Sequence, residues 1–462
     1  MDRNRKIVHN TIIFAIGNFG SKVLAYVMVL IYTHYIDAPD LGYYDLILTT
    51  VSLIQPIFIM GFNEGIYRWL IGNEKTERKE ILSTCLKTTT FTSLCSIVLL
   101  LLLNLKFQFR DISLIVFFIV SSMLYTMVQN AIRGLTNNKL YAASGILHSF
   151  IILLFEVIGL LILSMGIEAL LISKILANVF TILFIYIREP SFRGIIKTPL
   201  NKGLAKEVFN YSMPLVPNQV SWWIVNSSDR YIILGFLGTT YNGIYTVSNK
   251  FPTIITTITS IVYFALQETI IKEYSSEDRD KFYSDTFKNY YTLLFSLIIC
   301  AIPATNVIIN WFVSAEYLDA WKYTGFLYLS TVFCALSSFL GIGYQISKET
   351  KRSVVSTVSA AGINILINVV FISLIGLHAA SFSTFFAYFS LFIIRIFHSK
   401  KYFTLKINWL YFGGFTLASI GMILCSYYSN VGINIALAIG SGLIMLYLNR
   451  SILKSLLKKK RA

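Results

Sequence analysis

The sequence predicts an all-α polytopic membrane protein with about 14 transmembrane helices. Three observations predict it. A chain of 462 residues that is 55% hydrophobic and 13% charged is too apolar for a soluble globule of its length. Its apolar residues gather in runs long enough to cross a bilayer. The loops between those runs also alternate between rich in Lys and Arg and nearly empty of them, as cytoplasmic and outer loops do. With Arg3, Arg5 and Lys6 placed inside, the inner loops and both tails collect 31 of the 39 Lys and Arg. That inner tally includes Lys87, Lys288 and Arg395, which stand at the inner ends of their runs. The outer loops hold Lys106, Arg110 and Lys322, and five further cations lie deeper within runs: Lys22, Arg68, Lys174, Arg230 and Lys250. Both termini are therefore expected in the cytoplasm, with the chain in the inner (plasma) membrane. The first run is too long for a signal-peptide core.

The first six runs span 10–35, 42–70, 86–105, 112–132, 140–164 and 168–187. The next six span 207–237, 243–270, 288–311, 323–346, 354–375 and 378–397, and the last two 409–428 and 431–449. Short outer turns separate hairpin partners near Ala38, Gly166, Gly235–Gly243 and Gly376, and the longest outer stretch, 312–322, cannot house a catalytic domain. The larger inner loops are 188–206 and 271–287, the second mixing Lys272, Glu273, Asp278, Arg279 and Lys281 like a solvated cap. Pro56, Pro214, Pro217, Pro252 and Pro303 interrupt runs, which bends a helix and suits packing as readily as a hinge.

A weak repeat relates the halves. Leu41-Gly42-Tyr43-Tyr44 matches Asn242-Gly243-Ile244-Tyr245, and Gly166-Ile167-Glu168-Ala169 matches Gly376-Leu377-His378-Ala379. Gln129 to Lys139 and Gly341 to Lys351 each run from a helix end into a cationic inner loop. Halves in the same orientation are parallel repeats. The expected organisation is an N-lobe over 1–200, a C-lobe over 201–400, and two further helices with a basic tail over 401–462.

The net charge of +16 sits in inner loops and in the tail Arg450 to Arg461, a placement that serves topology and anionic headgroups rather than nucleic acid. Cys85, Cys95, Cys300, Cys334 and Cys425 show no metal spacing and fall mostly in apolar runs, so neither zinc nor disulfides are expected. No cofactor and no catalytic residues are expected either.

The ionisable residues far from either surface carry the functional signal, because a charge at bilayer centre costs about 2.5–3.5 kcal/mol and needs a partner or water. Asp229 and Lys250 flank the turn near Thr240 by 11 and 10 residues, which puts both roughly 15 Å below it and makes them candidate partners. Glu156 and Lys174 lie at similar depth in one hairpin, and Glu64 and Arg68 share a helix face four residues apart. These last two pairs fit neutralised structural pairs as well as functional ones. Glu268 lies toward the inner end of the eighth run. Lys22, Arg230 and Lys250 leave an excess of interior cations that calls for an anion from outside the chain. Trp222 and Trp223 stack on a sugar ring or simply pack; the remaining Trp residues fit the interfacial belt.

Asn226-x-x-Asp229-Arg230, followed by Leu234-Gly235-x-x-Gly238, with a Gly-x-Tyr after the first and seventh runs, resembles the polysaccharide transporter (Wzx-type flippase) branch of the multidrug/oligosaccharidyl-lipid/polysaccharide exporter superfamily. The resemblance spans essentially the whole chain, with diffuse motifs. It implies two parallel six-helix lobes around a central cationic cavity, plus two extra C-terminal helices. It also implies a non-enzymatic flippase moving undecaprenyl-diphosphate-linked oligosaccharide repeat units, of capsule or O-antigen type, to the outer leaflet by alternating access. The diphosphate ligands would be Lys22, Arg230, Lys250 and Arg68, and Asp229, Glu64, Glu268 and Glu156 the coupling or pairing carboxylates. The partners would be that lipid-linked substrate, membrane lipids, and the glycosyltransferases and polymerase of the pathway. A lipid II flippase or a drug/cation antiporter of the same superfamily is the alternative; interior cations disfavour the antiporter and short outer loops disfavour a membrane glycan polymerase.

The topology has a direct test. In a cysteine-free background, single cysteines at Lys79, Lys197, Lys281 and Lys401 should react with impermeant maleimide only from the cytoplasmic side, and those at Asp40, Asn242 and Asp319 only from outside. Labelling of residue 242 exclusively from inside would overturn the helix count.

Overall fold

The computed structural model describes residues 26–71, 75–347 and 349–450, and among them the chain is helical with no strand. Eleven described helices are long and apolar enough to cross a membrane, which makes this a multi-pass membrane protein. The expected first run lies mostly outside the described residues. The seventh is not one helix: it divides into Lys202–Ser212, a 3-10 turn Met213–Leu215 holding Pro214, Val216–Ser227 and Asp229–Phe236. The eighth is a single helix, Thr239–Lys272, whose Asn242, Thr246, Ser248, Asn249 and Lys250 leave it too polar for the hydropathy that marks the other spans. The second run also breaks, into Ala38–Phe58 and Phe62–Leu70, at Met60 (φ 53°) and Gly61 (φ 70°).

The chain forms two compact units, one containing Tyr43–Trp223 and the other Asp37–Gly42 with the residues from Ile224 onward. In the first unit, Lys202–Ser212 packs on Phe62–Leu70 through two glycines. A Cβ on Gly61 would stand 2.6 Å from the Ser212 carbonyl oxygen, and one on Gly65 would stand 2.5 Å from Val208. That contact groups 201–223 with the first unit, although their position in the repeat suggests the C-lobe. The cationic loop before this helix is tied to the Lys75–Phe107 helix. Ser83 Oγ and Lys87 Nζ donate to the Thr198 carbonyl at 2.7 and 2.6 Å, and Asn201 Nδ2 donates to Glu80 at 2.7 Å. Asn201 also caps its own helix by accepting from Leu204 N at 3.0 Å.

The second unit is held by aromatic side chains. Phe392 stacks on Phe412 at 5.6 Å, and Phe295 meets Phe412 edge-on at 5.5 Å. The last two helices, Trp409–Tyr428 and Val431–Leu448, pack on Arg279–Phe312, and Asn449 Nδ2 donates to Ser296 Oγ at 2.9 Å. By their contacts they cluster with this unit. On the loop side, Lys401 and Tyr402 donate to Glu349, and together with Arg352 they hold its carboxyl below the usual range.

The Gly42 and Gly243 repeat has a steric cause within the second unit. The first turn of Ala38–Phe58 crosses the first turn of Thr239–Lys272, and Asn242 Nδ2 donates to the Gly42 carbonyl at 2.8 Å. A Cβ on Gly42 would lie 2.0 Å from the Thr239 oxygen, and one on Gly243 would lie 2.0 Å from the Ala38 oxygen. Both obstacles are backbone, so neither can swing aside. Gly243→Ala should therefore lower stability by about 2 kcal/mol or more, in the upper range for overpacking. A methyl at Gly362, which would meet nothing within 4 Å, should cost nothing measurable. Thermal melts of the two variants in one detergent check this, and equal melting temperatures would refute it.

Candidate functional site

The polar interior of the second unit starts at the helix break around Ser228. Asp229 opens the helix Asp229–Phe236, where its charge favours the N-terminal dipole, and it is 2% exposed. Its carboxylate accepts from Arg230 Nη1 at 2.7 Å, from the Arg230 backbone N–H at 3.1 Å and from the Tyr245 hydroxyl at 2.5 Å. Arg230 Nη1 also donates to the Asn226 carbonyl at 2.8 Å, and the guanidinium stands 5.4 Å from the centre of the Tyr245 ring. Asn226 Oδ1 in turn accepts from the Tyr388 hydroxyl at 2.5 Å. A buried carboxylate is thus neutralised by its own chain neighbour and by one tyrosine.

Lys250, expected as the partner of Asp229, is not among these contacts. It is partly buried, and its amino group makes no hydrogen bond or ion pair among the described residues. The physical reason is rotation. Tyr245 faces Asp229, and Lys250, five residues on, is turned about 140° away on the same helix. Equal residue counts from a turn do not fix rotation about the helix axis, and the two residues do not meet.

The other candidates separate as follows. Lys22 lies outside the described residues, as does the side chain of Glu268. Arg68 is exposed, and Glu64 accepts from Asn63 Nδ2 at 3.4 Å; the two form no ion pair among the described residues. Glu156, 5% exposed on Asn138–Val157, and the partly buried Lys174 on Ile167–Arg188 sit on helices that pack together. Trp223 donates its indole N–H to the Thr49 carbonyl and to Ser52 Oγ, both at 3.0 Å, and Trp222 is partly buried nearby. No cluster of three or more His, Cys, Asp or Glu suited to a metal ion occurs among the described residues.

Two features were missed in the sequence. Arg395, counted there with the inner cations at the end of the run 378–397, is 3% exposed within the helix His378–Ser399. It donates to the Ser337 carbonyl at 3.0 Å and to the Ser356 and Thr357 hydroxyls at 3.3 and 3.2 Å, tying three helices together. Its signal was a lone cation flanked by Leu391–Ile394 and Ile396–Phe397. Asn364 and Asn368 are both fully buried one turn apart on Thr350–Ile375. Asn364 accepts from Ser228 Oγ at 3.3 Å and donates to Ser383 at 3.4 Å, whereas the Asn368 amide has no hydrogen-bond partner among the described residues. Two amides at helical spacing in an apolar run were the readable sign.

The model of the family described as "polysaccharide biosynthesis protein" matches residues 7–271, more than half of the chain. Among solved structures, the lipid II flippase MurJ in an inward closed conformation superposes with a TM-score of 0.69 at 16% identity, covering 96% of this chain and 100% of that one. An inward-facing multidrug resistance MATE transporter of the MOP superfamily gives 0.63 at 13% identity, over 84% of this chain and 95% of its own. A MATE structure in complex with Br-NRF gives 0.52 at 14% identity, over 90% and 97%. No curated relative matches the sequence. At such identities the structural likeness establishes the fold, while the family match covers the sequence itself. The chain belongs to the polysaccharide biosynthesis protein family, and its fold is like that of the MurJ and MATE structures.

Proposed function

We propose that this protein is a flippase that carries undecaprenyl-diphosphate-linked oligosaccharide repeat units from the inner to the outer leaflet of the plasma membrane by alternating access. Both of its termini are cytoplasmic, and it works with the glycosyltransferases and polymerase of the same pathway. Family membership and the transporter fold support the class. The observation that carries the substrate assignment is Lys250, a partly buried cation on a membrane-depth helix whose amino group no described protein anion satisfies. A cation held in such a place needs an anion, and a diphosphate that enters and leaves with the substrate supplies one. Arg230 is the second ligand in this unit, held ready by Asp229; Lys22 and Arg68 are assigned from the sequence alone. Asp229 is the coupling carboxylate, since anything that loosens its bond to Arg230 changes what Arg230 offers a phosphate.

Reconstituted vesicles containing a fluorescent undecaprenyl-diphosphate oligosaccharide test this, with an impermeant reagent reading which leaflet holds the headgroup. Wild-type protein should translocate the lipid. Lys250→Met should slow it about tenfold or more, the loss of one charge-assisted hydrogen bond of about 1.5–3 kcal/mol, without lowering the melting temperature. Asp229→Asn should reduce both transport and stability. Transport of lipid II but not of the oligosaccharide lipid, or a wild-type rate for Lys250→Met, would contradict the assignment.

A further inference from the structure

The first unit contains a cavity of about 240 Å³ lined by Ser52, Gln55, Pro56, Asn63, Thr126 and Gln219, with Ile59 beside them. At ~30 Å³ per water this holds about eight waters, and it falls below the ~300 Å³ at which pockets for whole drug-sized ligands begin. It fits one ring-sized group. Two interrupted helices border it. Gln55, Pro56 and Asn63 flank the left-handed Met60–Gly61 break, and Gln219 follows the Pro214–Pro217 turn. Non-helical backbone at membrane depth is tolerated where it is buried in protein or lines a cavity, and broken helices recur at transporter binding sites.

The lining groups have unused hydrogen-bonding capacity. Gln55 spends its amide hydrogens on the Ser122 carbonyl at 3.1 Å and on Thr126 Oγ1, which fixes its carbonyl oxygen as an acceptor with no donor among the described residues. Asn63 Oδ1 is buried with no hydrogen-bond partner, and the Gln219 amide makes no hydrogen bond among the described residues. None of the lining residues is charged. The nearest carboxylate in sequence, Glu64, accepts from Asn63 at 3.4 Å and would repel an anionic ligand. A lining that combines amides and hydroxyls with the apolar Pro56 and Ile59 suits a ring that carries both hydroxyls and C–H groups.

We infer that this cavity is a subsite for a single uncharged sugar ring of the lipid-linked glycan, bound through Gln55, Asn63 and Gln219. The inference rests on the flippase reading for how the sugar arrives, but not for whether it binds.

Two measurements on the full-length protein in nanodiscs separate the possibilities. Saturation-transfer NMR with methyl β-glucopyranoside, methyl N-acetyl-β-glucosaminide and methyl β-glucuronide needs no lipid. A neutral glycoside should show transfer that is lost in the Gln55→Ala/Gln219→Ala variant, with glucuronide weaker. No transfer from either neutral glycoside, or transfer unchanged in the variant, overturns the subsite. Binding of undecaprenyl-diphosphoryl-N-acetylglucosamine is then compared with binding of sugarless undecaprenyl diphosphate. The same variant should weaken the first at least tenfold and the second less than twofold, and an equal loss for both again overturns the subsite. Wild-type protein that binds neutral glycosides but neither lipid would leave the subsite standing and refute the flippase reading. Asn63→Ala, whose single amide should give a smaller loss in the same direction, keeps the test decisive if the double variant does not fold.

Discussion

A carboxylate inside a lipid-embedded helix bundle has to be neutralised by groups the fold itself brings to it, and the second unit is organised around one such carboxylate. The helix break at Ser228 places Asp229 at a helix start, next in sequence to Arg230 and opposite the buried hydroxyl of Tyr245. The pair is local and therefore independent of substrate. Lys250, turned away from Asp229 on the Tyr245 helix, has no carboxylate partner among the described residues. Arg395 obeys the same constraint differently. It has no carboxylate contact among the described residues and is satisfied by a carbonyl and two hydroxyls from neighbouring helices. A buried cation solvated by dipoles in this way is costly to disturb.

Several of the candidate site residues lie on interrupted or unusually polar helices. Among the described residues, the second and seventh runs are broken and the eighth is hydrophilic, and these hold Gln55, Asn63, Gln219, Asp229, Arg230 and Lys250. The regular spans around them pack through Phe and Tyr and serve as scaffold. Interrupting a helix frees backbone groups that must be satisfied again, a cost that is borne where the interruption shapes a site.

Much of the fold was legible in the sequence because its strongest signals are length and charge placement, both imposed by the bilayer. Hairpin order followed from apolar runs, and the Gly42–Gly243 match marked two helix starts that cross at van der Waals limits. Rotation about a helix axis was not legible. Asp229 and Lys250 were placed level by counting residues, yet the partner turned out to be adjacent in sequence. Arg395 was missed because a cation at the inner end of a run reads as a topology signal, and the groups that bury it, the Ser337 carbonyl and the Ser356 and Thr357 hydroxyls, come from two other helices. The division of the seventh run, and with it the packing of 201–223 in the first unit, depends on the close contact at Gly61 and Gly65, which no local pattern announces.

The central claim is that Asp229 is paired with Arg230 and not with Lys250. Paired double-mutant cycles in thermal or denaturant stability test it most directly. Asp229→Asn and Arg230→Met should each cost about 3 kcal/mol, and the double variant markedly less than their sum, because removing both partners leaves no orphan charge. In the parallel cycle, Asp229→Asn and Lys250→Met should add within ~0.5 kcal/mol. Additivity for Arg230 together with coupling for Lys250 would contradict the account.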